Sequence, residues 1–436
     1  MRTGGRKWRM FASFAVRNYR YYFLGALVSN VGTWVQAIGQ AWLVLTILTD
    51  NSSAALGTVT ALQFIALPVL APFAGAVTDR FSKRHQLMVT QMLLALLAFG
   101  LFALVLTDVV QLWHVYLFAF TQGIITAFDN PARQAFVTEM VDRELVPNAV
   151  GLNSTSFNMA RLVGPGVAGL LIAAFGVALT LLINAVTFAA MLAALFLMNA
   201  DELTPAPSTR GRGAARDGLR YLGKRPDLII YLVVVFMLGS FGMHFQLFNA
   251  TMSTTVFGQG AEAFGLLGTV LAVGTLAGAL MAARRTKPSL RIIMLGLAGY
   301  TVSMLLLSVA PNFTIYALLL IPAGFSTLTV MTSCNAAVQL GTAPEFRGRV
   351  MAVYMAIFVG GTPLGAPLIG WVGEVLGARA SILIGPTAVG LTLIGVMSYL
   401  VVHKGVRLRL QKGHVEVWYQ TRPRPAADAA DPGAEQ

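Results

Sequence analysis

A single arginine stands inside an otherwise apolar run. Arg161 lies about 13 residues, or roughly 20 Å at 1.5 Å per residue, into a helical segment that begins near residue 148. Ser154, Asn158 and Arg161 recur at steps of four and three, so they share one stripe of a helix. A guanidinium there has two uses: its planar fork can grip two oxygens of an anionic ligand, or it can donate to backbone carbonyls and to Gln122 or Asn158 as a structural lock. Further polar residues interrupt other apolar runs at helical steps. One run holds Asn30, Thr33, Gln36 and Gln40, and a second Thr121, Gln122 and Thr126. A third holds His244, Gln246 and Asn249, and a fourth Ser326, Thr329 and Ser333. Phe241, Phe245, Phe248 and Met252 stand beside His244 and supply an adaptable apolar wall. This chemistry suits binding rather than bond-making. No span holds paired carboxylates or a metal-spaced His and acid cluster, and no loop holds a phosphate-cradling Gly-Lys-Ser/Thr motif, so neither an enzyme, a metal nor a cofactor is expected. One cysteine, Cys334, excludes an internal disulfide framework.

Lipid has to be the solvent around these residues. Of the 436 residues 56% are hydrophobic and 11% charged, against about a quarter charged in an ordinary soluble domain. Twelve runs are long enough to span a bilayer, near 21–46, 54–77, 86–107, 112–129, 148–174, 177–198, 228–257, 262–283, 289–309, 313–339, 348–375 and 379–402. The net charge of +13 is not a nucleic-acid footprint, because the basic residues sit between the runs rather than on a folded patch with stacking aromatics. All but two of the 31 Lys and Arg residues fall in the tails, the central linker and alternate loops; the exceptions are Arg161 and Arg379. The bias of basic residues toward the cytoplasm places both termini there, which requires an even number of spans.

The stretch 199–227 is polar and rich in Pro, Gly and Arg, and divides the chain into an N-terminal six-span half, 1–198, and a C-terminal half, 228–402. It reads as a flexible start followed by a short basic helix at the lipid headgroups. The tail 403–436 is expected to lack order. A repeat links the halves. Gly164, Gly169 and Gly176 recur as Gly365, Gly370 and Gly377 at one constant offset, and Gly75-x-x-x-Asp79-Arg80 has a worn copy beginning at Gly278.

The loop Gly75-Ala-Val-Thr-Asp79-Arg80-Phe-Ser82-Lys83-Arg84 resembles the signature of the major facilitator superfamily, whose fold is two six-helix halves related by a parallel repeat. The resemblance implies a latch on the cytoplasmic side. Asp79 would engage the start of span 11 near Arg347 and Arg349, and Arg84 would reach Asp129 at the end of span 4. Ser82 replaces the family's second glycine.

The block Asp129-Asn-Pro131-Ala-Arg133-Gln134, with Pro147-Asn148-Ala149, Asn158-Met-Ala-Arg161-Leu-Val-Gly164-Pro165-Gly166 and Pro344-Glu345-Phe-Arg347-Gly348-Arg349, resembles the enterobactin-exporter branch, which also contains multidrug efflux members. Gly164, Pro165 and Gly169 match part of the antiporter motif, in which lost side-chain bulk lets a neighbouring helix approach. In span 4, Gln122-Gly123 matches the proton-coupling motif but Ala119 stands at its arginine position. The resemblance implies that spans 1, 4, 7 and 10 line a central cavity. It implies export of a siderophore, drug or other bulky amphipathic or anionic small molecule across a bacterial cytoplasmic membrane, with the proton as coupling ion. Nutrient import, or a receptor or scaffold of the same fold, are the competing readings. Asp129, His244 and Glu374 are the candidate proton carriers.

Overall fold

The computed structural model describes residues 8–204, 214–285, 288–404, 407–411 and 414–418. It is almost entirely helical: α1 (Arg17–Trp42), α2 (Ser53–Arg80), α3 (Lys83–Leu106), α4 (Leu112–Met140), α5 (Val146–Phe175) and α6 (Val177–Leu197) form the N-terminal half. A linker helix α7 (Ala214–Gly223) follows. The C-terminal half comprises α8 (Pro226–Met237), α9 (Phe245–Thr251), α10 (Ala261–Ala283), α11 (Leu290–Ser308), α12 (Phe313–Gly341), α13 (Arg347–Gly360), α14 (Thr362–Leu376) and α15 (Ala378–Lys404). Among the described residues eleven segments are long and apolar enough to cross a membrane. The twelfth expected span is α4. It is 29 residues long, but His114, Gln122, Asp129 and Arg133 make it too polar to qualify on composition.

Two spans are broken. Span 7 is α8 and α9 joined by a wide π turn at Leu238–Gly242 and by non-helical backbone at Met243 and His244. Span 11 is α13 and α14, meeting at Gly361 ahead of Pro363. Pro removes a backbone donor, and a break at membrane depth is tolerated where neighbouring helices re-satisfy the chain. Tyr300 does so here, its hydroxyl donating to the Gly242 carbonyl at 3.0 Å.

Met1–Gly390 form one compact unit and Leu391–Gln436 a second. The second holds the end of α15 and an antiparallel hairpin of β1 (Arg407–Gln411) and β2 (His414–Trp418). The tail was expected to lack order, yet its Arg-Leu-Arg-Leu and Val-Glu-Val alternation has the period of a strand; residues 419–436 lie outside the described set, as do 205–213 of the linker.

Within the first unit the N-terminal half is packed by small residues. Gly25, Gly32 and Gly39 repeat every two turns on α1 and seat against Ala194, Thr187 and Thr180 of α6. Near the basic loops a cluster of Tyr19, Tyr22, Leu87, Phe136, Met140 and Leu195 fills the space between α1, α3, α4 and α6. In the C-terminal half, Gly274 and Gly324 let α10 and α12 approach at Ile321 and Leu271. The halves meet chiefly through two helix pairs, α2 with α14 and α5 with α10, with smaller contacts of α2 with α13 and of α9 with α1 and α2.

Candidate functional site: a polar cavity between two halves

The cross-half pairs are tight at the end away from the basic loops. A β-carbon on Gly57 would lie 2.5 Å from the Ala366 carbonyl oxygen, and one on Gly370 would lie 2.5 Å from that of Ser53. In the other pair, one on Gly169 would lie 2.6 Å from the Ala261 carbonyl, and Gly265 is pressed equally hard on Pro165. Ser53 adds a hydrogen bond from its hydroxyl to the Gly370 carbonyl at 2.8 Å. Toward the basic loops the same helices loosen. A β-carbon on Gly75 of α2 or Gly151 of α5 would meet nothing within 4 Å. The contacts between the halves are therefore tight at one end and looser toward the basic one.

Arg161 sits one turn before this α5–α10 seal begins. Its guanidinium lies 5.8 Å from the ring centroid of Trp34 on α1, and Trp34 meets Phe157 edge-on at 6.3 Å. Gly164 makes the stack possible, since a β-carbon there would lie 2.5 Å from Trp34 Cβ. Arg161 takes part in none of the ion pairs found among the described residues, and the expected lock onto Gln122 or Asn158 does not form. Asn158 donates instead to the Ser154 carbonyl, and Gln122 accepts from Gln63. Asn30, hydrogen-bonded to Ser156, and exposed Thr33 lie along the same side of α1. Gln246 of α9 reaches across the halves to the Ala37 carbonyl at 2.7 Å, one turn above Trp34. A cation backed by an aromatic face, half-buried and paired with no acid among the described residues, has the chemistry to hold an anion.

Several expected cavity residues are placed elsewhere. Gln36 is buried against Asn184 of α6, and Gln40 is buried too. Ser326 and Thr329 turn onto Gly296 and Gly299 of α11, inside the C-terminal half. Phe245, Phe248 and Met252 are core residues rather than a wall, leaving Phe241 half-buried on the π turn. His244 is buried at the break in span 7, with Nε2 2.8 Å from the Ser240 carbonyl. Thr126 is half-buried on α4. Trp34 and Phe157 were missed because aromatic residues are ordinary lipid-facing residues in a span; the one sequence signal is that Phe157 lies a helical step of four before Arg161.

The latch residues are also redistributed. Asp79 is exposed, and Arg80 lies 5.8 Å from the Phe81 ring. Arg84 does not reach Asp129. It donates to the carbonyls of Leu195 and Met198, closing the exposed carbonyl end of α6. Asp129 is buried in its own half, accepting from Arg133, from Thr90 at 2.6 Å and from Gln91 at 2.8 Å. At the start of α13, Arg349 pairs with Asp217 of α7 at 3.2 Å and Arg347 donates to the Gln339 carbonyl.

Residues 9–412 match the model of the family described as transmembrane secretion effector. The chain is 24% identical over 376 residues to the staphyloferrin A transporter of Staphylococcus aureus, covering 82% of this chain and 90% of that protein. It is 24% identical over 372 residues to the multidrug efflux pump Tap of Mycolicibacterium fortuitum, covering 82% and 89%. Among solved structures, a bacterial homologue of the lysosomal transporter Spinster, in an inward-facing and unoccupied conformation, superposes with a TM-score of 0.67 at 14% identity, covering 91% of this chain and 96% of that one. A D-xylose–proton symporter also gives 0.67 at 14% identity, covering 86% and 95%. These show a shared major facilitator fold.

Proposed function

The chain belongs to the transmembrane secretion effector family of transporters, and on that premise we propose that it exports an anionic, amphipathic small molecule across a bacterial cytoplasmic membrane by alternating access. The substrate is a siderophore, drug or metabolite bearing paired oxygens, and an inward proton gradient drives its exit. Relatives named for staphyloferrin A transport and for multidrug efflux support this direction. The crowding of Lys and Arg at one end supports a cytoplasmic placement of that end and of both termini. The conformation is then open to the cytoplasm, which is where an exporter loads.

The observation that carries the reading is the Arg161 guanidinium, paired with no acid among the described residues and stacked on Trp34 beneath a closed seal. Burying a charge at mid-membrane costs about 2.5–3.5 kcal/mol on the lenient insertion scale, and a substrate anion repays that cost only while bound. Arg161→Lys tests it, because the charge stays while the planar fork is lost. In everted vesicles with an imposed proton gradient, wild type accumulates a labelled catecholate or carboxylate siderophore. The variant reaches normal membrane levels with an apparent KM raised about tenfold, corresponding to about 1.4 kcal/mol. Normal transport by the variant, or its degradation, counts against the substrate role.

A further inference from the structure

Glu374 stands near the end of α14, in the C-terminal half, yet its contacts are on the other half. Its Oε2 accepts from the Ala54 amide of α2 at 3.3 Å and lies 3.5 Å from the Ser53 hydroxyl. The first amides of a helix lack partners within it and carry the positive end of its dipole, so a carboxylate is stabilised there. Ser52 caps the next amide, that of Ala55, at 3.2 Å. This is an acid from one half seated on a helix N-terminus of the other, which is the arrangement expected of Asp79 at the start of α13, moved to the opposite end and with the halves exchanged. Both acids are exposed in this conformation, but Glu374 is hydrogen-bonded across the halves while Asp79 is in none of the ion pairs among the described residues.

We propose that Glu374 is the latch that holds the end away from the basic loops shut, and that a proton arriving from that side releases it, which makes Glu374 the loading site of the coupling proton. The inference rests on the alternating-access reading above. Protonation removes the charge that the helix end stabilises and leaves the Ala54 amide only a weaker, neutral acceptor. The charged or titratable side chains at this end are Asp50 in the turn before α2, Asp108 after α3, His114 in the first turn of α4, Glu262 in the first turn of α10 and Arg379 at the start of α15, with His244 behind Gly365. Arg379 is committed to the Ser308 and Ala310 carbonyls, and Gly365, against which His244 lies, is nine residues, about 13 Å, along α14 from Glu374. The charged groups of α2 and α13, namely Asp79, Arg80, Arg347 and Arg349, lie at the far end. Asp129 is already neutralised by Arg133 within one half, so its titration would not act on a contact between halves.

The test uses the full chain with Cys334→Ala and a reporter Thr33→Cys in the interior, labelled by a membrane-impermeant maleimide in vesicles of defined sidedness. The expected result is slow labelling from the side opposite the basic loops at neutral pH, rising as that side is acidified. Glu374→Gln should raise the neutral-pH rate about tenfold, as loss of a charged helix-end contact does, and should abolish the acid response. Glu374→Asp, which keeps the charge, should keep the response. Ala54→Pro removes the amide from the other partner at a position where a helix tolerates proline, and should raise the rate as Glu374→Gln does. An unchanged rate in either variant, or an acid response that survives in Glu374→Gln, overturns the proposal. Labelling needs no substrate, so this result is separate from that of the Arg161 experiment.

Discussion

The end of the first unit that bears the basic loops and the end opposite are held by different chemistry. At the opposite end, backbone meets backbone across the halves, at Gly57 and Ala366 and at Gly169 and Ala261, with the Glu374 carboxylate added. At the basic end the strong contacts stay within one half. Asp129 is held by Arg133, Thr90 and Gln91, and Lys83 pairs with Glu139 at 3.2 Å in a buried position. The difference teaches what must move. Contacts inside a half can be buried, charged and permanent, because the half travels as one body. Contacts between halves have to be exchangeable, and those described are glycine surfaces, the hydrogen bonds of Ser53 and Gln246 to backbone carbonyls and the exposed Glu374 carboxylate.

The largest effect should come from the permanent network. Arg133→Ala leaves the Asp129 charge in a buried site with only Thr90 and Gln91, and removing one partner of such a pair costs about 3–5 kcal/mol. Thermal unfolding in detergent should show this loss. Side-specific labelling of Thr33→Cys in whatever protein folds should keep the wild-type ratio; a changed ratio would mean that this network also sets the conformational balance.

A smaller effect of opposite character is expected at the glycine seams. Gly265→Leu drives a side chain into the Pro165 carbonyl, and overpacking costs about 1–3 kcal/mol, here charged only to the closed seam. That corresponds to about a 5- to 150-fold shift, read as faster labelling from the side opposite the basic loops. Gly75→Leu, where space is free, should leave that rate low and hinder only closure of the basic end. Equal effects of the two would erase the contrast between the ends.

Asp79→Asn should give the smallest shift, about tenfold for a latch worth about 1.4 kcal/mol. Its exposed carboxylate has work only when the basic end closes, so membrane levels stay normal and transport slows. Transport at the wild-type rate would reduce the loop to a topology signal.

The helical plan is written in the sequence because lipid imposes it. A run of about 20 apolar residues has one way to satisfy its backbone, which is why the spans, the two halves and the glycine repeat were legible. The repeat even locates the seams, since Gly169 and Gly370 both lie on them. Alpha-helical periodicity also says correctly that Ser326 shares a face with Thr329, and that Asn30 shares one with Thr33.

What periodicity does not contain is the neighbour that each face meets. A polar stripe in a span serves equally against another helix or along a wet cavity, because both keep it out of lipid. Tertiary structure alone turned Gln36 toward Asn184 and Ser326 toward Gly299, and brought Trp34 rather than an acid to Arg161. It likewise sent Arg84 to the α6 carbonyls, and it carried Glu374 to the start of a helix some 320 residues earlier in the chain. Such pairings depend on how helices dock within each half and, for Glu374, between the halves, a property of packed surfaces far apart in sequence rather than of any one segment.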